Sequence, residues 1–323
     1  MKNKKVIVIG VNGQDGSYLS ELLLDKGYDV YGIIRRHSVA ESQDSRIAKL
    51  GDKITTFYGD VNDYSSLLKI FSQVKPDEIY NLAAQSNVRI SFDIPDYTIQ
   101  TNGVGVLNIL ELMKHIVPEA KLYQASSSEI FGNCIEADDS QNENTQKIPT
   151  SPYGCSKLMG FNLVHNYRNS YKMFASNGIL FNHESPRRGI NFVTNKVVKC
   201  AVEIKKGLMK NLSLGNLDAS RDWGHSKDYV RAMQLILSLD KPDDFVVSTG
   251  VTHSVRDLCK YTFSSLGMNY EDYVTIDPKF FRPEELNRLR GDSTKFRTLT
   301  GWKPEYTFET MLDEMIKYWW DKI

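Results

Sequence analysis

The chain has 323 residues, 41% of them hydrophobic and 25% charged, enough to bury a substantial core as one large domain or two closely packed ones. Forty basic and forty acidic residues balance to a formal net charge of zero, so no bulk field draws nucleic acid or a membrane surface, and any bound anion must be held by local donors. The basic start MKNKKVIVIG has too short an apolar run for a signal peptide, and no run of about twenty apolar residues follows, so a cytoplasmic protein without a membrane partner is expected. Cys134, Cys155, Cys200 and Cys259 are scattered, with neither a CxxC pair nor a histidine at ligand spacing, which predicts reduced thiols and no metal.

Apolar, β-branched runs alternate with helix-like segments through the first half: VIVIG, SYLSELLLDKG, DVYGIIRR, ITTFYGDV, SSLLKIFSQV and EIYNLAA. That order predicts right-handed βαβ units and a parallel sheet with helices on both faces. Further strands are predicted at KLYQASS (121–127), SNGILFN (176–182) and DFVVSTG (244–250), with a helix from Tyr153 to about Tyr171 between the first two. The polar stretch from Gln141 to Pro149 reads as a loop near the carboxyl edge of the sheet. After His183 the pattern is irregular, with PRRG, a helix from about Asn191 to Lys206, and charges set among Pro and Gly. The expected fold class is α/β: a Rossmann-type doubly wound parallel sheet over 1–181, rejoined by 217–250, with a smaller C-terminal substrate-binding region drawn mainly from 182–323.

The first turn, GVNGQDG, places Gly10, Gly13 and Gly16 between the first strand and the first helix. Glycines there allow backbone to approach a pyrophosphate that the helix N-terminus stabilises, which predicts a dinucleotide site. The second strand ends in Arg35-Arg36, where an NAD-selective protein would carry an acid for the ribose 2′-hydroxyl; a guanidinium suits a 2′-phosphate, so the expected cofactor is NADP. Asp60, closing the third strand, is placed for the adenine amine.

Tyr153 and Lys157 stand four residues apart, on one helical face. A nearby ammonium favours phenolate, so Lys157 is expected to lower the Tyr153 pKa towards working pH, letting the phenol take a proton from an alcohol as hydride leaves the same carbon. Upstream, SSSEIFG sets the carboxylate of Glu129 behind three hydroxyls at the end of an apolar run.

The glycine turn, the YxxxK pair and the serine-bearing strand end resemble the extended short-chain dehydrogenase/reductase superfamily. More closely, GQDGSYLSELLLDKGYDVYGIIRR, NLAAQSNVRISFD, ILFNHESPRRGINFVT, SLGNLDASRDWGHSKDYV, and FFRPEE with LRGD are similar to the GDP-mannose 4,6-dehydratases over almost the whole chain. The resemblance implies that Ser127 bonds the C4 oxygen beside Tyr153 and that Glu129 is the acid-base group that eliminates water. It implies an NADP site lined by Gly10, Val11, Asn12, Gly13, Gln14, Asp15, Asp60, Val61, Leu82, Ala83, Ala84, Gln85, Ser86, Tyr97, Lys157, His183 and Arg188. It places Asn182, Glu184, Lys196, Arg221, Arg282 and Glu284 against the GDP-sugar. The segment RRHSVAESQDSRIAKL is similar to a family loop that reaches a neighbouring subunit's NADP site, with Arg46 its best-matched anchor, and so implies a homotetramer.

The implied chemistry explains the acid. Oxidation at C4 makes the C5 proton acidic, a carboxylate can remove it, the C6 hydroxyl leaves as water, and hydride returns to C6. A GDP-4-keto-6-deoxymannose reductase of this fold, or an idle NADP sensor, could dispense with Glu129. Three departures bear on the sugar: Ser127 where the family usually has threonine, Asn195 where an arginine commonly precedes the lysine, and a shorter chain between His253 and Phe280. The methyl missing at Ser127 would leave room for a GDP-manno-heptose.

Overall fold

The computed structural model describes residues 3–37, 46–281, 284, 286 and 288–323. In chain order the first half contains β1 (Lys5–Ile9), α1 (Gln14–Asp25), β2 (Asp29–Ile34), β3 (Thr55–Tyr58), α2 (Tyr64–Val74), β4 (Glu78–Asn81), α3 (Val88–Ser91), α4 (Pro95–Ile99), α5 (Gly105–Ile116), β5 (Lys121–Ser127), α6 (Pro152–Tyr171) and β6 (Ala175–Leu180). The second half adds β7 (Asn182–Glu184), α7 (Val193–Lys205), β8 (Leu212–Leu214), β9 (Ser220–His225), α8 (Ser226–Ser238), β10 (Asp244–Val247), β11 (Thr252–Ser254), α9 (Val255–Ser265), β12 (Val274–Ile276), β13 (Arg288–Leu289), α10 (Thr294–Thr300) and α11 (Phe308–Lys322).

Seven strands pair in parallel in the order β10-β6-β5-β4-β1-β2-β3. All four residues of β4 are buried, as a strand with both faces covered requires. Leu19 and Leu23 of α1 pack with Met233, Ile236 and Leu237 of α8 on one face; Phe71 of α2, Leu110 and Met113 of α5 and Val164 of α6 cover the other. The order reverses between β1 and β4, so a crevice opens at their carboxyl ends.

The smaller region has its own sheet, β11-β9-β13 with β7 beside β9, and a core of Val197, Val198, Leu258, Phe263, Met311, Leu312, Met315 and Trp319. Sequence patterning put the return to the large sheet at 217–250. In the structure β9 belongs to the small sheet, α8 and β10 make the return, and Phe296 of α10 and Trp302 also join the first core. The 141–149 segment lies along the sheet's outer edge: the Glu143 carboxylate accepts from the Val246 N–H of β10 (2.7 Å), and Gln141 exchanges backbone bonds with Arg290 and Asp292.

One buried carboxylate joins three segments. Asp222 of β9 accepts from the Thr249 N–H (2.9 Å) and hydroxyl (2.6 Å), the Gly250 N–H (2.8 Å) and the Gly291 N–H (3.3 Å). Burial outweighs the lowering effect of those donors and leaves its pKa raised to about 6. Replacing Asp222 by Asn turns one acceptor edge into a donor facing other donors. Each N–H left unpaired costs about 1–3 kcal/mol, so the urea midpoint of Asp222→Asn is expected to fall accordingly; an unchanged midpoint would show that water serves those donors equally well.

Candidate active site

The turn after β1 meets the geometric demand of a dinucleotide. Gly10 takes φ +82°, and a Cβ on Gly16 would stand 2.3 Å from the Gly10 carbonyl oxygen and 2.7 Å from the Val11 Cα, so α1 begins directly against the turn. The Gly13 N–H closes it on the Gly10 carbonyl (3.0 Å).

Gln14 and Asp15 bind the turn to β7 and α8. The Gln14 amide donates to the His183 carbonyl (3.1 Å) and accepts from the Ser185 hydroxyl (2.8 Å). Asp15 meets His183 Nε2 at 2.7 Å and accepts from the Ser226 hydroxyl (3.1 Å), while His183 Nδ1 faces the Phe181 carbonyl (2.7 Å). Burial pushes the imidazole pKa down, but the Asp15 carboxylate outweighs it and raises it on balance. Burial likewise raises Asp15, and His183 brings it below the usual carboxylate range. With an acceptor at each ring nitrogen, the imidazolium is the form that fits.

The other cofactor residues predicted from sequence lie along the same edge. Val11 is buried; the Asn12 carbonyl accepts from Arg46 (3.3 Å). The Asp60 carboxylate accepts from the Asn62 N–H (2.9 Å), and Val61 packs in the core beneath. Leu82, Ala83, Ala84, Gln85 and Ser86 follow β4, with Gln85 held from both sides by Asn102: its N–H donates to the Asn102 side chain, whose amide donates to its carbonyl. Asn102 sits in a π turn before α5, a departure from α geometry frequent at functional sites. Arg35, following β2, donates to the Tyr97 hydroxyl and lies 5.7 Å from that ring's centroid, so these two residues, 62 apart in sequence, form one patch.

Ser151 caps α6, accepting from the Gly154 N–H (3.0 Å), and Pro152 follows at its first position. A Cβ on Gly154 would be 2.8 Å from the Glu129 carbonyl oxygen, so only glycine lets the first turn of α6 close on the segment carrying Ser127 and Glu129. The Tyr153 N–H is fixed to the Ser91 hydroxyl (3.1 Å), and the Ser127 hydroxyl accepts from the Glu129 N–H (3.2 Å). Ser127, Glu129, Tyr153 and Lys157 are all buried.

The electrostatics correct the sequence expectation for Tyr153. Burial pushes the phenol up to about 12; the Ser127 hydroxyl and Arg188 lower it, while Glu129 and Asp15 raise it. Lys157 is not among the groups that move it most: its Nζ lies 5.9 Å from the Tyr153 ring centroid and donates to the Ala125 carbonyl (2.9 Å). Burial pushes Lys157 down to about 8. Beyond its bond to Ala125, the ammonium has N–H donors to offer a ribose diol, and with the glycine turn this fits the residues to a dinucleotide.

On the substrate side, Glu184 is buried and accepts from the Thr194 hydroxyl; Arg188 Nε lies 3.1 Å from it, in a pair whose N–H is not aligned for a hydrogen bond. Asn182 opens β7 beside them. Lys196 donates to the Ser213 carbonyl (2.8 Å) and lies over Phe280; burial pushes its pKa down. Arg221 is buried and donates to the Ser220 and Leu286 carbonyls (both 2.9 Å). Glu284 is exposed, and Arg282 lies outside the described residues. Arg46 donates to the Arg187 carbonyl of its own chain (2.8 Å), as well as to Asn12; residues 38–45 of its segment lie outside the described residues.

Two residues take structural roles that sequence reasoning did not assign them. Arg187 stacks on Tyr18 (3.8 Å to the centroid) and pairs with Glu21 (2.7 Å), docking the PRRG turn on α1. Asn195 is fully buried between that turn and α11. Arg187 is one half of a visible arginine pair; Asn195 offered no signal beyond its departure from the family pattern. Among the described residues no cluster of three or more His, Cys, Asp or Glu could hold a metal, and no helix is long and apolar enough to cross a membrane.

A glycine turn at the head of an open parallel sheet, with a tyrosine and lysine on one helix beside a hydroxyl-bearing strand end, defines an extended short-chain dehydrogenase/reductase. The family model described as GDP-mannose 4,6 dehydratase matches residues 7–315. Human GDP-mannose 4,6 dehydratase is 44% identical, covering 96% of this chain and 90% of that protein; GDP-mannose 4,6 dehydratase 1 of Arabidopsis thaliana is 46% identical, covering 98% and 90%. Among solved structures, RMD from Pseudomonas aeruginosa complexed with NADPH superposes with a TM-score of 0.81 at 23% identity, over 99% of this chain and 100% of that one, a likeness of fold. The chain belongs to the GDP-mannose 4,6-dehydratase family.

The charges around Tyr153 have a measurable consequence. Ser127→Ala is expected to raise its pKa further and Glu129→Gln to lower it, read by NMR titration of ring-labelled tyrosine assigned with Tyr153→Phe. Shifts of the opposite sign would contradict the arrangement.

Proposed function

We propose that the protein is an NADP-dependent hydro-lyase that converts GDP-mannose to GDP-4-keto-6-deoxymannose. The observation that carries this reading is the closure of α6 on the 128–130 segment, which buries the Glu129 carboxylate beside the Tyr153 phenol and the Ser127 hydroxyl. Bound NADP supplies the hydride acceptor for C4 and the hydride donor for C6, and so ends as it began. The glycine turn, Lys157 and the Arg35–Tyr97 patch would hold it, with Arg35 towards the 2′-phosphate.

Tyr153 and Ser127 hold the C4 oxygen, and Tyr153, once ionised to the phenolate, takes its proton as C4 is oxidised. The ketone then makes the C5 proton acidic, Glu129 removes it, and the C6 hydroxyl leaves as water with a proton returned from that carboxyl group. Arg221, Lys196 and Arg282 suit the diphosphate. Cytoplasmic residence accords with the four free thiols, and the homotetramer rests on the family likeness of the segment around Arg46. Light scattering on the purified protein tests the tetramer.

A second sugar is favoured by one sequence feature: Ser127, at the reacting end, lacks the methyl of the threonine usual in the family, and the smaller side chain would suit a GDP-manno-heptose, whose C6 carries an additional carbon. The purified protein is incubated with each sugar nucleotide without reductant, and mass spectrometry follows. Loss of one water with no net NADPH consumption supports the dehydratase, and the tube that reacts faster names the sugar. Net NADPH oxidation by a 4-keto-6-deoxy sugar, without water loss from either substrate, would instead make it a reductase.

Glu129→Gln separates the steps. Losing the acid-base group should slow water loss by about 10²–10⁴-fold while C4 oxidation continues, so nicotinamide absorbance should show reduced cofactor accumulating with GDP-mannose. Wild-type rates of water loss in this variant would remove Glu129 from the mechanism.

A further inference from the structure

The Glu184–Arg188 pair is poorly fixed by its own contact, since the Arg188 Nε lies within 3.1 Å of the carboxylate without an aligned hydrogen bond. The guanidinium stacks on Phe192 (3.7 Å to the ring centroid), in the same turn, so that contact cannot place the turn relative to the rest of the site. What places the turn is the start of α7. Thr194 donates its hydroxyl to Glu184, and the Asn195 side-chain amide donates to the Arg188 carbonyl (2.6 Å). The Asn195 side-chain oxygen accepts from the Trp319 indole N–H of α11 (2.6 Å). Asn195 is fully buried and Trp319 nearly so, so neither bond can be exchanged for water without opening the small core.

We propose that Asn195, held by Trp319, is a positioning residue that fixes the Glu184–Arg188 pair between the cofactor and sugar sides of the site. On the opposite flank Arg187 docks the same turn on α1, so the turn is pinned to the nucleotide helix by one arginine and to the C-terminal helix through one asparagine. An asparagine suits this enclosed place because its terminal amide offers one donor and one acceptor side by side, where an arginine would offer donors only. The inference rests on the reading of Arg188 as a cofactor-site residue, and its failure is distinguishable from failure of the proposed reaction.

The test uses the full-length protein and two binding measurements that need no turnover, calorimetry with NADP+ and with GDP, beside kcat and KM for GDP-mannose. Asn195→Ala is expected to weaken NADP+ binding about tenfold, the scale of a lost buried hydrogen bond, and to raise KM more than it lowers kcat. Trp319→Phe, which keeps the ring and removes the N–H, should move the same constants in the same direction by less, with circular dichroism unchanged. Arg188→Ala supplies the decisive comparison: if Asn195 acts through Arg188, adding Asn195→Ala to Arg188→Ala changes NADP+ affinity little. Equal losses in both backgrounds, or NADP+ and GDP affinities within twofold of wild type in Asn195→Ala and Trp319→Phe, would overturn the proposal. If wild type binds GDP and NADP+ but releases no water from GDP-mannose, the proposed reaction fails while the positioning role is still decided by the affinities. If Arg188→Ala leaves NADP+ binding intact, the cofactor role of Arg188 fails, and the positioning role fails with it.

Discussion

The site is organised around a buried ion pair. Asp15 stands in the first turn of the helix that opens the nucleotide site, and His183 stands where the chain passes from the large sheet into the small one. Removing two charges from water is costly, and the return is secured only because every polar atom of the pair is occupied: Ser226 and His183 on the carboxylate, Phe181 and Asp15 on the ring. The pair also resolves an electrostatic conflict. A carboxylate at a helix N-terminus competes with the pyrophosphate that the same N-terminus is suited to receive. Pairing with an imidazolium cancels that competing charge while keeping the mechanical tie between sheet and substrate region.

The same logic runs through the carboxyl edge. Asp222 joins β9 to the turn after β10 and to the segment after β13, and Glu143 occupies an N–H that the edge strand would leave open. Each carboxylate is buried or half-buried and each accepts backbone N–H groups from a segment distant in sequence. Segments distant in sequence are thereby held by directional bonds where apolar packing alone would let them slide.

Much of this was legible in the sequence because it is local. Alternating apolar runs mark the strands, the glycine turn stands at the strand-to-helix junction, and the four-residue spacing of Tyr153 and Lys157 needs only helical periodicity. The rest depends on distance in space. The direction of the Tyr153 shift could not be read from YxxxK, because burial by elements far along the chain dominates and Lys157 turns to Ala125. Asn195 gains its role from Trp319, 124 residues later, and Arg35 gains Tyr97 only once α4 is placed beside β2. The return to the large sheet begins at α8, after β9, and no local pattern marks that point, because the pairing of β9 with β7 decides which sheet it joins.

Tyr153 and Glu129 share one buried pocket, and the charge of the second bears on the first proton transfer. The Glu129 charge adds to burial in raising the Tyr153 pKa, so the resting group is the neutral phenol and forming the phenolate beside the carboxylate is costly. The Ser127 hydroxyl and the Arg188 guanidinium work against that rise, which makes the two groups implied for substrate and cofactor contact also the two that lower the cost of the first step. Once the phenolate has taken the C4 hydroxyl proton it is the neutral phenol again, the form that burial and the Glu129 charge both favour. Proton uptake at the first step thus removes a charge the pocket disfavours, and the elimination that follows is driven by the acidity the ketone gives the C5 proton.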